Sequence, residues 1–135
     1  MEPDRQTQRE VLAVLRNLSG AIASNDVRGV LDNFVASDSV VMFGSEEPEI
    51  AYGRDELERL WGRVLSRGQR YVWSWSDETV ASRDGVAWVS AKATVSINDE
   101  SGQREVAYRA TMVLTEVAGR WLIEQYHGSE PGAVW

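Results

Sequence analysis

The chain of 135 residues contains no cysteine, one histidine and one lysine. The absence of cysteine excludes disulfides, thiol nucleophiles, iron–sulfur clusters and thiolate zinc sites. A single histidine, His127, excludes any site within one chain that needs two imidazoles. The 21 acidic residues outnumber 14 basic ones and give a net charge of −7. Because proteins that bind a phosphate backbone normally carry an excess of Lys and Arg, we expect no nucleic-acid partner.

The sequence also lacks targeting and cofactor-binding patterns. No apolar run approaches the roughly 20 residues of a membrane-spanning helix, and the first ten residues are too polar for a signal peptide. We therefore expect a cytoplasmic protein without a membrane partner. No Walker motif, dinucleotide-binding glycine pattern or serine-nucleophile elbow is present, so no cofactor is predicted. The acidic segment 45–49 lacks the alternating oxygen ligands and the glycine of a calcium loop, which predicts a solvated hairpin tip and no metal site.

The first half of the chain reads mainly as helix. Hydrophobic residues make up 43% of the sequence, enough for a packed core, and the whole chain, 1–135, is expected to form one domain. Thr7 with Glu10 has the spacing of a capping box, and Pro3-Asp4 would start the same helix earlier. Apolar residues then recur every three or four positions up to Ile22. Asn25-Asp26 predicts a break and a second, shorter helix, and Arg54 to about Arg67 predicts a third.

The rest of the sequence predicts strands. Residues 39–43 and 50–52 fit a small hairpin before the third helix. After Gly68, long alternating segments are separated by Asp84-Gly85, by residues 98–102 and by Ala118-Gly119, which fits a meander of three or four antiparallel strands. Helices followed by a long meander favour an α+β fold with the helices packed on one face of a curved sheet.

These landmarks resemble the nuclear transport factor 2-like superfamily and, within it, the SnoaL-like domains. The likeness runs from about Val11 to Pro131. It is carried by "AIASNDVRGVLDNFVASDSVVMFGS" at 21–45, "YGRDELERLW" at 52–61, "GVAWVSAKATV" at 85–95 and "YRATMVLTEVAGRWLIEQYHGSEP" at 108–131. The resemblance implies a cystatin-like α+β roll: a cone-shaped, mainly antiparallel sheet wrapped around the N-terminal helices. It also implies a cavity open at one end and a homodimer formed through the outer sheet face.

The superfamily includes ketosteroid isomerases, polyketide cyclases, epoxide hydrolases, a kinase association domain and domains with no known reaction, so the site must decide the function. An isomerase of this type needs a carboxylate base, a tyrosine and a protonated carboxylic acid. The corresponding positions lie at residues 40–43, near Leu18 and at 108–112, and they leave all three roles unfilled. Arg109 could serve a hydrolase, but no pair of aspartates on core-facing strand positions flanks it.

His127 is the candidate acid or base, because an unperturbed imidazole titrates near neutral pH. It lies in "HGSEP" at the end of the last strand, near the expected mouth of the cone. The alternative interpretation is structural: the imidazole would fix the C-terminal segment through Ser129 or a backbone carbonyl. In a regular strand, Glu124 would point to the opposite face from His127.

Arg109 lies in mid-strand, where an unpaired charge is rarely placed. It would either anchor a carboxylate or enolate through its two-pronged guanidinium or form a salt bridge with Glu105 or Glu124. Tyr108 and Arg109 are neighbours on one strand and point to opposite faces, so only one of them can line the cavity.

The chain contains six tryptophans. Trp73 and Trp75 share one face of a strand, where they would form either a flat apolar wall for a ligand or an interface between subunits. Trp61 and Trp88 are expected in the core, and Trp135 is either a free tail or a plug over the cone. The predicted ligand contacts are Arg109, Trp61, Trp73, Tyr108, Tyr126 and Ser129.

The sequence therefore predicts a SnoaL-like domain that binds a small, largely apolar ligand in its cone, with an anionic ligand as the form that Arg109 would anchor. Two other functions stay open. One is an enzyme of the cyclase, isomerase or epoxide-hydrolase type with His127 as acid or base. The other is a homo-oligomerising interaction module, which would have a filled or occluded cone.

Overall fold

A computed structural model describes residues 4–132 of the chain. It contains three helices on one side of a six-stranded sheet. The order along the chain is α1 (Arg5–Ala23), α2 (Val27–Leu31), β1 (Val41–Phe43), β2 (Ile50–Tyr52), α3 (Arg54–Leu65), β3 (Arg70–Arg83), β4 (Val86–Asp99), β5 (Gly102–Val117) and β6 (Arg120–Ser129). The predicted α+β class is confirmed, and Trp135 lies outside the described residues.

The helices begin where short acceptor side chains cap them. The carboxylate of Asp4 accepts a hydrogen bond from the backbone N–H of Thr7 at 2.7 Å, so α1 starts at the earlier of the two predicted positions. Asp26 caps α2 in the same way through the N–H of Gly29, as the Asn25-Asp26 break predicted. Helix α3 ends at Leu65, two residues before the predicted end.

The sheet has the strand order β2-β1-β6-β5-β4-β3. Strands β3 to β6 form the predicted antiparallel meander, while β1 runs parallel to β6 and pairs with β2 as the predicted hairpin. Asp84-Gly85 and Ala118-Gly119 make two-residue turns, and all four residues have positive φ, the geometry that matches the twist of the flanking strands.

The core lies between the helices and the inner face of the sheet. Strand β4 alternates buried and exposed residues over nearly its whole length, so its inner side chains form one continuous apolar row. The inner row and the buried face of α1 belong to one hydrophobic core. Its most buried large side chains have less than 2% of their surface exposed. They are Phe34, Leu15, Leu18, Leu57, Leu60, Met112, Leu114, Ile123, Val11, Val30 and Val40.

Trp88 is an exception to the predicted core. It alternates with the buried Ala87 and Val89, so it projects from the outer face of β4 and is 42% exposed. The prediction that Trp88 is a core residue was wrong. It was based on the hydrophobicity of tryptophan, whereas the alternation of β4 places residue 88 on the outer face. Trp61, on α3, is buried as predicted.

Strand β6 contains one extra residue. Ile123 pairs with Leu114 and Gln125 pairs with Val113, so Glu124 has no partner on β5. This bulge reverses the alternation of the strand: Trp121 and Ile123 are buried before it, and Tyr126 and Gly128 after it. A regular strand, which the sequence predicted for Glu124 and His127, would place His127 on the face of Ile123; the bulge places it on the other face.

Arg54 connects the start of α3 to the segment that follows α2. Its Nη1 donates to the backbone carbonyls of Leu31, Phe34 and Val35 at 3.0, 3.2 and 3.1 Å. Leu31 is the last residue of α2, where intrahelical donors run out, and Phe34 and Val35 lie in the segment that follows. The guanidinium thus holds α3 against the chain segment that leads to β1.

We expect Arg54→Met to lower the free energy of unfolding by about 2 kcal/mol, because a charged donor to three carbonyls is lost while the apolar stem is kept. Urea denaturation measures the change. Arg63→Met, at an exposed position of the same helix, is the control and should change stability by roughly 0.5 kcal/mol or less. Equal losses in the two variants would contradict the tethering role of Arg54.

Candidate functional site

A cavity of about 130 Å³ lies between α3, the inner face of the meander and the β1–β2 hairpin. Leu60 and Val64 come from α3, and Val95 and Val106 from the inner face of the sheet. Its rim is polar and reaches solvent through the hairpin loop and the starts of β3 and β5. The rim residues are Ser45, Glu46, Glu49, Arg67, Gln69, Arg104 and Glu130.

The inner wall of the cavity is aromatic. Trp61 from α3 and Tyr71 and Trp73 from β3 line it, and the rings of Trp73 and Tyr108 meet edge to face with centroids 5.5 Å apart. The indole nitrogens of Trp61 and Trp73 are buried and have no hydrogen-bond partner among residues 4–132. The two rings therefore meet the cavity through carbon, and their polar N–H groups are not offered to a ligand at the cavity surface.

Tyr108 and Tyr126 form a hydroxyl pair in the wall. Their oxygens are 2.8 Å apart, and both side chains are buried. Burial raises the pKa of Tyr108 well above its usual value, against the opposing effect of its hydrogen bond with Tyr126. Burial is also the main reason that the pKa of Tyr126 is raised. Both phenols therefore stay neutral, and each satisfies part of the other's hydrogen-bonding capacity.

Gly128 makes room for this pair. A methyl group on its α-carbon would collide with the hydroxyl and the ring of Tyr108. The two residues meet because Ala110 pairs with Gly128 and Tyr108 precedes Ala110 by two positions on the same face of β5. Any larger residue at position 128 would displace the Tyr108 hydroxyl from its partner.

The β1–β2 loop folds back over the mouth of the cavity. Glu49 comes two residues before the buried Ala51 and shares its inward face, so its side chain is only 13% exposed. One carboxylate oxygen accepts the backbone N–H of Glu46 at 3.2 Å. The side chain also occupies the place where a Cβ on Gly44 would stand. The prediction that segment 45–49 is only a solvated hairpin tip was therefore wrong for Glu49.

Arg67 joins this loop to the end of α3. Its Nη1 lies 2.7 Å from Oε2 of Glu46, and its Nη2 lies 3.7 Å from Oε2 of Glu49. The guanidinium therefore bonds tightly to Glu46 and only loosely to Glu49. The hydrogen bond from Arg67 lowers the pKa of Glu46, whereas burial raises the pKa of Glu49.

The structure brings four of the predicted site residues together. Trp61, Trp73, Tyr108 and Tyr126 all line or close the cavity. Sequence reasoning missed Glu46, Glu49 and Arg67. The period of two in β2 was the available signal for Glu49, because it puts residues 49 and 51 on one face. No local pattern signals the contact between Arg67 and Glu46, which are 21 positions apart.

The other three predicted site residues lie outside the cavity. His127 and Ser129 are exposed on β6 because the bulge at Glu124 turns odd-numbered positions outward. The ring of His127 packs edge to face against Phe43 at 5.6 Å. Arg109 is exposed on β5, opposite Ser129, so Tyr108 is the member of the 108–109 pair that faces inward. Functions for these three residues at another site remain predictions.

Among residues 4–132, no group of three or more Asp, Glu, His or Cys side chains is arranged to hold a metal ion. Within the same part of the chain, no helix is long and apolar enough to cross a membrane.

We expect Tyr108→Phe and Tyr126→Phe each to lower the free energy of unfolding by about 1–2 kcal/mol, because each leaves one buried hydroxyl without its partner. The double variant should cost about as much as one single variant, since both hydroxyls are then gone. Urea denaturation of the four proteins gives the coupling. Tyr52→Phe, at an exposed tyrosine, is the control with little change, and strictly additive losses would show that the hydroxyls are not coupled.

Comparison with known protein families identifies the class of this protein. The family model of the SnoaL-like domain matches residues 11–133, and the chain belongs to this family. Its fold is similar to that of a solved protein described as nuclear transport factor 2-like, in agreement with the resemblance seen in the sequence. No curated protein matches the sequence significantly.

Several solved structures share the fold over nearly the whole chain. A protein from Xanthomonas campestris, described as a candidate calcium/calmodulin-dependent protein kinase II association domain, is 25% identical, with 93% of this chain and 89% of that chain covered and a TM-score of 0.78. A candidate dehydratase from Streptomyces avermitilis is 15% identical, with 93% and 96% covered and a TM-score of 0.84. A protein from Catenulispora acidiphila in complex with S-DNPA is 16% identical, with 93% of each chain covered and a TM-score of 0.80.

Proposed function

We propose that this domain binds a small, largely apolar molecule inside its cavity. The observation that carries the proposal is a space of about 130 Å³ with an aromatic inner wall and a polar rim. An apolar cavity of about 150 Å³ in another protein binds benzene, so this space suits one ring. The arrangement of apolar walls with a few polar groups at one end is typical of small-molecule sites.

The polar groups inside the wall support binding of an apolar body. The hydroxyls of Tyr108 and Tyr126 bond to each other, and the indole nitrogens of Trp61 and Trp73 do not reach the cavity surface. A ring that enters the space therefore displaces water from carbon surfaces, which is favourable by about 25 cal/mol per Å². The Catenulispora acidiphila structure, in complex with S-DNPA, adds a precedent for a ligand complex within this fold.

The positions of the polar candidates favour binding in the cavity over the alternative chemistry. An acid–base reaction on a molecule in the cavity would not use His127, since its side chain is exposed on the outer face. Arg109 points outward as well, so it does not anchor an anionic ligand within the cone. The open space also differs from the filled cone that a purely oligomerising module would have.

We expect toluene to bind to the native protein with the cavity as its site, as measured by saturation-transfer NMR. Val106→Trp places an indole into the cavity and should abolish the toluene signal, because Val106 lines the space. Ala107→Trp is the matched control, since the neighbouring position is exposed on the outer face. Circular dichroism confirms that both variants fold. Undiminished binding to Val106→Trp would contradict the proposed site.

We further propose that the outer sheet face pairs two copies of the chain. This face carries a shallow hollow of about 240 Å³ lined by Val80, Val113 and the 42% exposed Trp88. Burial of a tryptophan and its neighbours is a common source of association energy. The similar Xanthomonas campestris protein is described as an association domain, which agrees with pairing through this fold.

Native mass spectrometry should report a dimer of the native protein at micromolar concentration. Trp88→Glu should shift it to a monomer, because a charge would then be buried at the centre of the interface. Val117→Glu, at another exposed apolar residue that does not line the hollow, should leave the dimer intact. A monomer of the native protein under these conditions would refute the proposed pairing.

A further inference from the structure

We propose that the cavity selects cationic ligands, with an apolar ring in the aromatic part and an amine or alkylammonium group at the rim beside Glu49. This inference rests on the proposed binding function and adds the chemical class of the ligand. It follows from three features of the site: the charges of the rim, the incomplete pairing of Glu49 and the aromatic wall behind it.

The rim carries more negative than positive charge. Glu46, Glu49 and Glu130 face two arginines, Arg67 and Arg104. Arg67 makes its short, charge-assisted hydrogen bond to Glu46 and lies farther from Glu49. Within residues 4–132, Glu130 accepts a neutral hydrogen bond from Ser45 at 2.9 Å, and Arg104 projects from an exposed position on β5. A ligand anion would therefore meet Glu49, whose cation is 3.7 Å away, and Glu130, which accepts its hydrogen bond from a neutral hydroxyl.

Among the three rim carboxylates, Glu49 has the most buried side chain. Its side chain is 13% exposed, yet its cation, Arg67, is 3.7 Å away and tightly bound to Glu46. Burial disfavours the charged form of a carboxylate, and burial, together with the neighbouring carboxylate of Glu46, raises the pKa of Glu49 against the attraction of Arg67. A ligand ammonium group at the rim would supply the missing charge at short range. The cation gains a partly desolvated partner, for which ion pairing is stronger than at the surface.

The aromatic wall provides the surface that holds the ring of the ligand. Tyr71, Trp73 and Tyr108 form a continuous series, with ring centroids 6.1 and 5.5 Å apart and interplanar angles of 50° and 80°. Because these rings are tilted relative to one another, they offer both faces and edges to the ring of a ligand. Trp61 closes the opposite side from α3. The ligand ring would therefore contact aromatic carbon, while its ammonium group reaches the carboxylate of Glu49 at the rim.

The two phenols in the cavity wall, Tyr108 and Tyr126, are neutral. The raised pKa values of Tyr108 and Tyr126 keep both hydroxyls protonated, so the interior itself carries no charge. The ammonium group is therefore expected at the rim and not at the bottom of the cavity. The selectivity of the site then depends on one side chain, Glu49, while the affinity for the ring depends on the wall.

Three probes of similar size separate charge from shape: phenethylamine, 2-phenylethanol and 3-phenylpropanoate. Isothermal titration calorimetry at pH 7 should give a Kd for the amine that is at least about tenfold lower than that for the alcohol, a ratio that corresponds to roughly 1.4 kcal/mol. The carboxylate should bind most weakly. Glu49→Gln should reduce the amine to the affinity of the alcohol, and Glu47→Gln, an exposed neighbour outside the cavity lining, should preserve the preference.

The pH dependence gives an independent readout. Glu49 is faced by Glu46, Glu130, Arg67 and Arg104 at the rim and by the Tyr108–Tyr126 pair in the wall. As the pH falls through the raised pKa of Glu49, its carboxylate is protonated and the ion pair is lost while the amine stays cationic. The preference for the amine over the alcohol should therefore shrink toward acidic pH in the native protein and stay flat in Glu49→Gln.

The outcomes distinguish this inference from the proposed function. If toluene binds but the amine binds no better than the alcohol or the carboxylate, the cation selectivity is wrong and the binding function stands. A preference for the amine that survives Glu49→Gln would overturn the assignment of Glu49, provided that the variant still binds toluene and is therefore folded. If neither toluene nor any of the three probes binds, the proposed function itself fails.

Discussion

The single extra residue in β6 decides which chemistry the cavity contains. Without the bulge at Glu124, the alternation that buries Trp121 and Ile123 would bring Gln125 and His127 inward and turn Tyr126 outward. With it, Tyr126 reaches Tyr108, Gly128 passes under the Tyr108 ring, and the imidazole packs against Phe43 on the opposite side of the sheet. The neutral character of the interior follows from this one irregularity, because it exchanges a titratable imidazole for a buried pair of phenols.

The mouth of the cavity depends on a different constraint, the contact between the β1–β2 loop and the residue that follows α3. Arg67 lies beyond the last turn of the helix and reaches Glu46, so loop and helix are held together across the opening. Gly44 lets the Glu49 side chain fold over the loop, and the period of two in β2 directs it inward. The guanidinium of Arg67 lies closer to Glu46 than to Glu49, so the more buried carboxylate, Glu49, has the weaker ion pair. This inequality gives the rim its residual negative field.

Much of the fold follows from local patterns that are legible in the sequence. Apolar spacing defined α1 and α3, Asp26 marked the start of α2, and the Asp84-Gly85 and Ala118-Gly119 turns fixed the meander. Part of the site followed as well, since Trp61, Trp73, Tyr108 and Tyr126 were predicted to line a cavity that the structure contains. The errors share one cause. Trp88 and His127 were assigned from their chemical type, whereas strand parity and the bulge set their actual faces.

By itself, the sequence determined the α+β class, the order of the elements, the membership of the SnoaL-like family and the exclusion of thiol and multi-histidine chemistry, because these depend on composition, on periodicity and on motifs of short range. The tertiary structure decided which polar groups belong to the cavity. The Tyr108–Tyr126 bond and the Arg67–Glu46 pair join residues 18 and 21 positions apart, and the inward face of Tyr126 also depends on a register shift between β5 and β6. Such contacts are set by how the sheet closes around the helices, and no local signal in the chain encodes them.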